Sequence, residues 1–595
     1  MDHHSAGRKK HHSGRRGGKR YVSLSGLKDR YGFSEEFILS HFPDPVIRAS
    51  SKRPNAIQQP AWTVDTVRNT LLRSSVKKEL TRIKNEAHSK KRRAEELKQL
   101  LLSYTPDSMI EQGSSLPRRF VLHSGPTNSG KTHDAIEALK NAVTGVYLGP
   151  LRLLALEMFD RLNGDGIPCN LLTGEEQQNV EGALITASTI ELCDYTKWYD
   201  VAVIDEAQMI SDPDRGSHWL KALCLVQAKE IHVCCAPEAE NLMRELIGAL
   251  GAPLQTVRHE RLVPLVFSGK CNGLQDVKDG DAVIAFSRKN VLNIAGLLEQ
   301  HHKNASVIYG ALPPEARREE VRRYTSGETT VVVATDAIGM GISLPIRRIV
   351  FADTSKFDGS ERRPLKPVEI RQISGRAGRY GMFDLGEVLA MNNVRSIRRG
   401  LEEEVPDLSA LRIPFPRELL ETDYTLQELL SGWKNLPPVE AFDREDVRDA
   451  EFLLQVLGKE EEQKAPKSFI YDLISCPVNI KSDLLVHYWL SCCKAILADR
   501  PLPLPPFGSS TLEKCELQYS AFDIHHQLMR RIGVEEDCER QKSFLCEKIN
   551  AFLKAGKSTF IKRCRVCGKV LPIGARYNVC DTCFQEGYEY RPYYR

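Results

Sequence analysis

The chain has 595 residues, a formal net charge of +5, 41% hydrophobic residues and 27% charged residues. At roughly 100–200 residues per domain, this length predicts about three to five domains, and the composition is typical of globular proteins that bury a core. No run approaches the roughly 20 apolar residues of a membrane span, and the N-terminus lacks the apolar segment of a secretory signal, so we expect no membrane partner.

The first 27 residues are rich in lysine, arginine and histidine, contain a single acid, Asp2, and hold almost nothing apolar. Such a segment cannot bury a core, so we predict a disordered basic arm over residues 1–27. A nucleic-acid-binding arm, a nuclear import signal and part of an organelle transit segment all fit this composition, which does not choose between them.

A helical N-terminal region is predicted over residues 28–116. Apolar residues between Val67 and Ile83 recur every three to four positions, which predicts a helix over residues 64–104. The same stretch carries a basic run, Lys90 to Arg93. This run is either the solvated face of the helix or a patch that faces nucleic acid.

From residue 117 onward, short β-rich runs alternate with helical stretches, a rhythm that predicts parallel sheets covered by helices on both faces. The first set of strands is predicted at 120–123, 146–148, 183–186, 201–204 and 231–234. The second set is predicted at 282–286, 306–309, 331–334, 349–351 and 387–389. We therefore predict an α/β fold with two tandem lobes, lobe 1 over residues 117–268 and lobe 2 over residues 269–400.

After residue 400 the strand signals fade, and helical patterns predict a helical C-terminal domain over residues 401–550. The proline-rich run that starts at Arg500 is predicted to be extended. It is either a stiff connecting loop or a segment that docks on a neighbouring surface.

The first predicted strand of lobe 1 runs into a segment, 125–132, that fits the spacing G-x-x-x-x-G-K-[ST]. Gly125 and Gly130 let the backbone curl so that its N–H groups point at phosphate oxygens, and the N-terminus of the following helix adds positive charge. Lys131 would place a cation against the β- and γ-phosphates of ATP, and the Thr132 hydroxyl would coordinate Mg²⁺. The other residues of this ATP-binding loop are Pro126, Thr127, Asn128 and Ser129.

Two acids, Asp205 and Glu206, follow the apolar strand at 201–204. Acids at the carboxyl end of a buried strand lie on the rim where α/β sheets bind ligands. Asp205 would hold Mg²⁺, and Glu206 would orient the water that attacks the γ-phosphate. The alternative is that both acids cap the next helix.

Lobe 2 contains the run RQISGRAGR at 371–379, which places Arg376 and Arg379 three residues apart, on one face of a predicted helix. Arginines from a facing domain can neutralise the charge on a transferring phosphoryl group, an effect of about 10³–10⁵ in rate. If they reach ATP only when the lobes close, hydrolysis is coupled to lobe movement. The alternative is a solvated arginine-rich helix.

Taken together, the phosphate loop, the Asp-Glu-Ala-Gln box at 205–208, the run at 334–341 and the run at 372–379 resemble the motifs of superfamily-two DExH/D-box helicases. The runs VIDEAQMISDPDRG, VIYGALPPEARREE and ATDAIGMGISLPIRRIVF closely resemble the mitochondrial RNA-degradosome helicases, which pair a 3′-to-5′ helicase with an exoribonuclease. The likeness is strongest over residues 117–400, continues more weakly to about residue 535, and does not cover the N-terminal arm or the C-terminal end.

This resemblance implies two RecA-like lobes and an ATP-dependent RNA helicase that couples hydrolysis to translocation and unwinding of RNA duplexes in mitochondrial RNA turnover or surveillance. It also implies an exoribonuclease partner and localisation in the mitochondrial matrix. The basic arm leaves localisation in the nucleus as the alternative. The residues alone leave open a DNA or RNA–DNA hybrid helicase in genome maintenance, and a non-catalytic scaffold that binds ATP as a switch.

The resemblance also assigns roles to individual residues. Gln372, Arg376 and Arg379 would grip the γ-phosphate, and Gln208 would link the nucleotide site to the RNA site. Two further positions expected at the nucleotide are Asp336 and Gly339. The positions at which the family lines its nucleic-acid channel are here Pro150, Arg152, Thr173, Gly174, Thr189, Glu191, Ser287, Arg288 and Thr335.

One motif departs from the superfamily pattern. Where many of these helicases carry Ser-Ala-Thr, this chain reads Cys-Cys-Ala-Pro-Glu at 234–238. The residue that connects hydrolysis to strand separation there is therefore open, and our hypothesis is that Pro237 and Glu238 take part.

Four cysteines near the C-terminus form two C-x-x-C pairs within a predicted module at 560–590, at Cys564, Cys567, Cys580 and Cys583. Four thiolates at this spacing can enclose a structural Zn²⁺, and the basic residues around them would lower the thiol pKa values. The alternatives are redox-active pairs or two disulfides. The remaining cysteines are scattered singly through apolar runs and are predicted to be buried thiols.

Overall fold

The computed structural model describes residues 20–49, 58–174, 176–339, 344–358, 361–439, 441–534, 538–573, 575 and 577–585. The chain divides into two compact units, Met1–Ser103 and Tyr104–Arg595. Among the described residues, no helix is both long enough and apolar enough to cross a membrane.

The N-terminal unit combines helices with a small sheet, where the sequence predicted helices alone. Its elements are β1 (Tyr21–Ser23), α1 (Leu24–Tyr31), α2 (Glu35–His41), β2 (Val46–Ala49), β3 (Gln58–Thr63), α3 (Val64–Leu71) and α4 (Ser74–Leu102). The strands pair antiparallel in the order β1-β3-β2. Leu27, Phe33 and Trp62 belong to the buried apolar cluster of this unit.

Two predictions about this unit are wrong in part. Residues 21–27 do not belong to a disordered arm, because they form β1 and the start of α1 and bury Leu27. Residues 1–19 of the predicted arm lie outside the described residues. The helix predicted over 64–104 is broken in two, since Arg73 between α3 and α4 is extended and donates a hydrogen bond of 3.1 Å to the carbonyl of His41. The basic run at 90–93 lies on an exposed stretch of α4.

Lobe 1 is an eight-stranded sheet with helices on both faces. Its elements are α5 (Asp107–Ser114), β4 (Arg119–Ser124), α6 (Lys131–Lys140), β5 (Gly145–Gly149), α7 (Arg152–Gly164), β6 (Cys169–Leu172), β7 (Gln177–Gln178), β8 (Ile185–Thr189), β9 (Trp198–Ile204), α8 (Gly216–Leu225), β10 (Gln227–Cys235), α9 (Glu240–Ala249) and β11 (Leu254–Arg258). The strand order is β11-β4-β10-β9-β5-β8-β6-β7, and every pair is parallel except β6 with β7.

The five strands predicted for lobe 1 are present, although the one predicted at 183–186 begins at Ile185. The strands that the sequence missed are β6, β7 and β11, which lie towards the two edges of the sheet. Edge strands are partly exposed and carry polar residues, as in LQTVR of β11, so they lack the continuous apolar runs of the central strands.

Lobe 2 is a six-stranded parallel sheet in the order β12-β19-β16-β13-β15-β14. Its elements are β12 (Leu265–Lys270), β13 (Asp281–Ile284), α10 (Arg288–Gln300), β14 (Ala305–Ile308), α11 (Pro314–Thr325), β15 (Val331–Ala334), β16 (Arg348–Phe351), β17 (Ser355–Phe357), β18 (Arg362–Pro364), α12 (Pro367–Ser374), β19 (Gly386–Ala390) and α13 (Val394–Glu402). The predicted boundary at 268 and 269 cuts through β12, which pairs with β19 and belongs to lobe 2. The antiparallel hairpin of β17 and β18 was not predicted.

The C-terminal region is mostly helical, as predicted, with one short pair of parallel strands. Its elements are β20 (Leu411–Ile413), α14 (Leu426–Lys434), β21 (Phe442–Arg444), α15 (Arg448–Leu457), α16 (Lys459–Glu462), α17 (Lys467–Ile474), α18 (Asp483–Leu497), α19 (Leu512–Arg531), α20 (Glu539–Lys554) and α21 (Asp581–Gln585). The proline-rich run docks on the helices of this region, because its carbonyls at Pro503 and Pro505 accept hydrogen bonds from Tyr488 and Gln518.

Helices α19 and α20 share one apolar core with lobe 2. Tyr519 and Leu545 belong to the same buried cluster as Val283 and Val307 of the lobe 2 strands. The C-terminal helices therefore complete lobe 2, which explains why the two predicted domains fall in one compact unit. The cysteines outside the C-terminal cluster are all buried, as predicted.

Candidate functional site

The loop between β4 and α6 curls through two left-handed residues, Asn128 (φ 61°) and Gly130 (φ 86°). Gly125 begins the curl and has no room for a side chain, since a Cβ there would lie 2.6 Å from the carbonyl oxygen of His259. Two polar groups remain available inside the curl. Among the described residues, the buried Ser129 hydroxyl has no hydrogen-bond partner, and the Lys131 ammonium donates to the carbonyl of Pro126 at 3.3 Å. A loop of this shape, opening onto a helix N-terminus, fits a phosphate group.

Asp205, at the carboxyl end of β9, is buried beside this loop. Its carboxylate accepts hydrogen bonds from the Thr132 hydroxyl at 3.2 Å and from the Tyr147 hydroxyl at 3.0 Å. Burial raises the pKa of Asp205 to about 6, and the neighbouring Glu206 adds to the rise. The Thr132 hydroxyl and the Asp205 carboxylate are oxygen donors of the kind that Mg²⁺ prefers, and they converge from two different elements.

Glu206 adopts a left-handed backbone conformation (φ 50°), which is uncommon for a residue with a side chain. Glu206 occupies the N-cap position of the short 3₁₀ helix that follows, Ala207–Ser211, but its side chain makes no capping hydrogen bond, so the structure does not support the alternative that these carboxylates serve as helix caps. Gln208 connects the acidic pair, Asp205 and Glu206, to the end of the neighbouring strand β10. Its amide nitrogen donates to the Glu206 carboxylate, and its oxygen accepts from the backbone N–H of Ala236 at 3.0 Å.

Ala236 lies in the departing Cys-Cys-Ala-Pro-Glu run, just before the 3₁₀ helix Pro237–Ala239. The residue of this run that receives Gln208 is therefore Ala236. The backbone carbonyl of Glu238 accepts a hydrogen bond of 2.7 Å from Leu408, in the C-terminal region. The involvement of Pro237 and Glu238 in coupling stays a prediction.

Arg376 and Arg379 do not lie on a helical face as predicted, because α12 ends at Ser374 and Gly378 adopts a left-handed conformation (φ 70°). Arg376 donates two hydrogen bonds to the carbonyl of Gly339, at 2.6 and 3.2 Å. Burial lowers the pKa of Arg376, while Glu206 and Asp205 of lobe 1 oppose the shift, which places this guanidinium in the field of the lobe 1 acids.

The two arginines line a cavity of about 350 Å³ between the lobes. Its other lining residues are Asn128, Gly130, His133, Leu262, Leu344 and Tyr380. Gln372 packs next to Gly339, whose added Cβ would lie 3.5 Å from Gln372 Cγ. Asp336 is held in lobe 2 by an ion pair of 3.0 Å with Lys356.

The loop that carries these arginines rests directly on the phosphate loop. The carbonyl of Gly375 accepts hydrogen bonds from Asn128 at 2.9 Å and from Arg261 at 2.8 Å, and Arg261 also donates to the carbonyl of Thr127 at 3.0 Å. Burial lowers the pKa of Arg261 to about 10. Sequence reasoning missed Arg261, because it lies in the segment between the two lobes and belongs to none of the helicase motifs.

The two lobes match the models of two known helicase domains. Residues 106–259 match the model of the DEXQ-box helicase domain of Suv3, and residues 267–381 match the model of the helicase conserved C-terminal domain. The chain therefore carries a Suv3-type DEXQ-box helicase domain followed by a helicase C-terminal domain. The two matched segments contain the phosphate loop (125–132), the acidic box (205–208) and the arginine loop (375–379), which follows α12.

Relatives extend the likeness beyond the helicase core. The mitochondrial DExH-box ATP-dependent RNA helicase DExH16 of Arabidopsis thaliana is 41% identical over 329 residues, which are 54% of this chain and 56% of the relative. The mitochondrial ATP-dependent RNA helicase SUPV3L1 is 31% identical in Mus musculus, over 78% of this chain and 63% of the relative. In Homo sapiens it is 32% identical over 72% of this chain and 58% of the relative. The chain thus spans less than two-thirds of the length of each.

Two of the channel positions predicted on lobe 1, Pro150 and Glu191, accept hydrogen bonds from Arg215, a residue that sequence reasoning missed. Its guanidinium donates to the carbonyl of Pro150 and to the Glu191 carboxylate, the latter at 2.5 and 2.8 Å, and it stacks 5.6 Å from the Trp219 ring. Thr189 is buried two residues before Glu191. Arg215 lies within the run VIDEAQMISDPDRG that carried the resemblance, but its partners are distant in sequence.

Helix α19 lies against the predicted channel residues of both lobes. On lobe 1, Gln527 donates to the carbonyl of Gly174 at 3.2 Å, and Asp523 interacts electrostatically with the half-buried Arg152. On lobe 2, Glu516 forms an ion pair of 2.7 Å with Arg288. The sequence placed these channel residues but gave no indication that a C-terminal helix would contact them.

The remaining channel positions are held by local hydrogen bonds. Thr173 is buried and its hydroxyl accepts from the N–H of Glu176 at 3.0 Å. Ser287 caps α10 by accepting from the N–H of Asn290 at 3.1 Å. Thr335 is buried at the end of β15, where its hydroxyl accepts from the N–H of Ala337 at 3.3 Å. Their contact with nucleic acid stays a prediction.

The four C-terminal cysteines come together as predicted, with sulfur atoms that all lie within 4.8 Å of one another. Cys567 Sγ and Cys580 Sγ are 3.7 Å apart, close to the edge of about 3.8 Å that a tetrahedron with Zn–S bonds of about 2.3 Å requires. Backbone N–H groups, that of Cys567 first, lower the pKa of Cys564 to about 6, which favours the thiolate. These donors fit Zn²⁺, and the sulfur separation is too long for a disulfide between that pair.

Proposed function

We propose that this chain is an ATP-dependent RNA helicase that couples ATP hydrolysis to translocation along one RNA strand and to unwinding of RNA duplexes. The observation that carries the proposal is the contact between the lobes at the nucleotide site. Gly375 abuts the phosphate loop, and the next residue, Arg376, lies in the field of Asp205 and Glu206. An arrangement that needs both lobes makes hydrolysis sensitive to their separation.

The chain's own groups divide the chemistry of hydrolysis. The phosphate loop and Lys131 bind the triphosphate of the substrate ATP, and Glu206 orients the attacking water and receives its proton. Arg376 and Arg379, from the other lobe, stabilise the charge that develops on the transferring phosphoryl group. When bound, Mg²⁺ neutralises phosphate charge, and Thr132 and Asp205 would hold it.

Coupling to the track runs through Gln208. Its two hydrogen bonds join the Glu206 carboxylate to the N–H of Ala236 at the end of β10. A movement of Glu206 when the nucleotide changes would therefore shift Ala236 as well. Loss of the γ-phosphate frees the arginines, the lobes separate, and each lobe holds the strand in turn. Contacts to phosphate and sugar hold such a track without reading its sequence.

RNA is the proposed track because the relatives described above are named ATP-dependent RNA helicases. Their names also place them in mitochondria, so we propose RNA turnover or surveillance in the mitochondrial matrix, with an exoribonuclease as partner. Zn²⁺ bound by the four C-terminal cysteines would be structural, since four thiolates leave no open position for a substrate.

Steady-state ATPase of the full chain, measured without nucleic acid, with single-stranded RNA and with single-stranded DNA, tests the proposal. Strong stimulation by RNA, abolished by Lys131→Ala and by Glu206→Gln, is the expected result. Equal stimulation by DNA would favour the DNA or hybrid helicase. No hydrolysis above that of the two variants would favour the ATP-binding scaffold.

A further inference from the structure

The C-terminal cysteine module carries a marked excess of positive charge. Among its described residues from 562 to 585, the basic side chains are Lys562, Arg563, Arg565 and Lys569, and the one acid is Asp581. Arg563, Arg565 and Lys569 are exposed. Two aromatic side chains of the module are also exposed, Tyr577 at 48% and Phe584 at 56%. Exposed cations and aromatic rings in one small module suit a chain of phosphates and bases.

The segment that leads into the module packs against lobe 2. The 3₁₀ helix Lys557–Phe560 packs on α10, where the N–H of Lys557 donates to the Glu299 carboxylate at 2.6 Å and the N–H of Lys562 donates to Asn293 at 2.7 Å. Gly296 permits this approach, because a Cβ there would lie 2.3 Å from the carbonyl oxygen of Lys557. The module therefore moves with lobe 2.

The docking face of α10 leads to the predicted nucleic-acid channel. Lys289, Asn293 and Gly296 are spaced by four and three residues, so they share one face of the helix. Lys289 lies within electrostatic reach of Lys562. It follows directly after Ser287 and Arg288, the lobe 2 positions predicted to line the channel. Positive charge thus continues from the start of α10 onto the module.

We propose that the C-terminal module, folded around Zn²⁺, is a binding platform for single-stranded RNA that continues the path of the strand beyond the helicase core on lobe 2. Arg563, Arg565 and Lys569 pair with phosphates, and Tyr577 and Phe584 stack on bases. The inference rests on the proposed function. Because α10 carries both the platform and Lys289, RNA bound to the platform increases the affinity of lobe 2 for the strand.

The test uses the full chain and single-stranded RNAs of increasing length, with affinity measured by fluorescence anisotropy at several salt concentrations. The variant Arg565→Ala/Lys569→Ala keeps all four cysteines, and its zinc content is measured beside that of the wild type. Each lost phosphate contact should reduce the slope of log affinity against log salt by about 0.7, so the double variant should lose about 1.4. Tyr577→Ala should weaken binding of the longer RNAs by about 5-fold or more.

Lys459→Ala/Lys494→Ala, which removes two exposed charges from α16 and α18, is the matched control and should bind as the wild type does. Weaker binding confined to the longer RNAs, with a reduced salt slope and full zinc content, supports the platform. If both module variants bind RNA with the affinity and salt slope of the wild type, the proposal is overturned. This holds even if the variants fail to bind a protein partner, because the module would then be a protein-binding surface. If the wild-type chain binds no RNA at all, the proposed function itself fails.

Discussion

The carbonyl oxygen of Gly375 in lobe 2 accepts a hydrogen bond of 2.9 Å from the side-chain amide of Asn128 in the phosphate loop. This contact leaves no room for extra volume, since a Cβ at Gly375 would lie 2.7 Å from Thr127 Cβ. The loop that carries Arg376 is therefore positioned by direct contact with the loop that binds phosphate. The proposed action of the arginines in catalysis depends on this fit.

Gly375→Ala should lower RNA-stimulated kcat by at least about 10-fold, because the arginines it displaces belong to a class worth about 10³–10⁵ in rate. Steady-state ATPase with saturating RNA measures the effect. Gly310→Ala is the matched control in the same lobe, where an added Cβ meets nothing within 4 Å. If the two variants hydrolyse ATP equally fast, the contact is not required.

Gln208→Ala should uncouple unwinding from hydrolysis, because it breaks the bridge between Glu206 and the N–H of Ala236. The half-buried N–H of Ala236 would lose a hydrogen bond worth about 0.5–1.5 kcal/mol, so we expect the number of strands separated per ATP to fall about 2- to 10-fold. Parallel ATPase and strand-displacement assays give this ratio. Glu238→Gln tests the sequence-based hypothesis for that residue: an unchanged ratio would remove Glu238 from the coupling path.

The purified chain should contain one zinc ion, held by the four cysteines whose sulfur atoms lie within 4.8 Å of one another. Metal analysis after dialysis checks this, with Cys567→Ser as the variant that should lose the ion. Because zinc binds thiolates, protons compete with the metal for the four sulfur atoms, so acidification should release it. A wild-type chain that retains no zinc at neutral pH would contradict the assignment.

Lobe 1 should lose stability on mild acidification through His123. This side chain is buried in a chain of hydrogen bonds with His232 at 2.9 Å and His259 at 3.0 Å, and burial lowers its pKa to about 4. The unfolded chain takes up a proton near pH 6.5 and the folded chain does not, so the stability present above pH 6.5 is lost as the pH falls towards 4.

Between pH 7 and pH 5 this effect amounts to about 2 kcal/mol. His123→Gln removes the titrating group. Urea unfolding of the wild type and of this variant over the same pH range gives the contribution of His123 to the pH dependence of stability. The raised pKa of Asp205 acts in the opposite direction and is present in both proteins. Equal pH dependence in both proteins would show that His123 titrates normally.

The nucleotide-binding half of the site could be predicted because each part is encoded locally. The phosphate loop and the acids at 205 and 206 follow buried strands directly, and strand ends of a parallel sheet meet at one edge. The arginine loop was placed correctly but given the wrong conformation, since Gly375 and Gly378 end the helix that the spacing of Arg376 and Arg379 indicated.

Residues that depend on distant partners could not be predicted. Arg261 donates to Gly375, which lies 114 residues further along the chain. Glu516 reaches Arg288 and Tyr309 across a still longer separation, the latter 207 residues away. Neither has a motif of its own, and only packing of the folded chain brings these charges together. Edge strands such as β11 were missed for a related reason, because partial exposure removes the apolar pattern.

The central claim is that ATP hydrolysis between the lobes drives separation of RNA strands, and strand displacement from a labelled RNA duplex with a single-stranded overhang tests it most directly. The account predicts ATP-dependent displacement by the wild type, and none by Lys131→Ala, Glu206→Gln or Arg376→Ala. Displacement that persists in Glu206→Gln, or a wild type that hydrolyses ATP with RNA but separates no strands with either overhang, would contradict it.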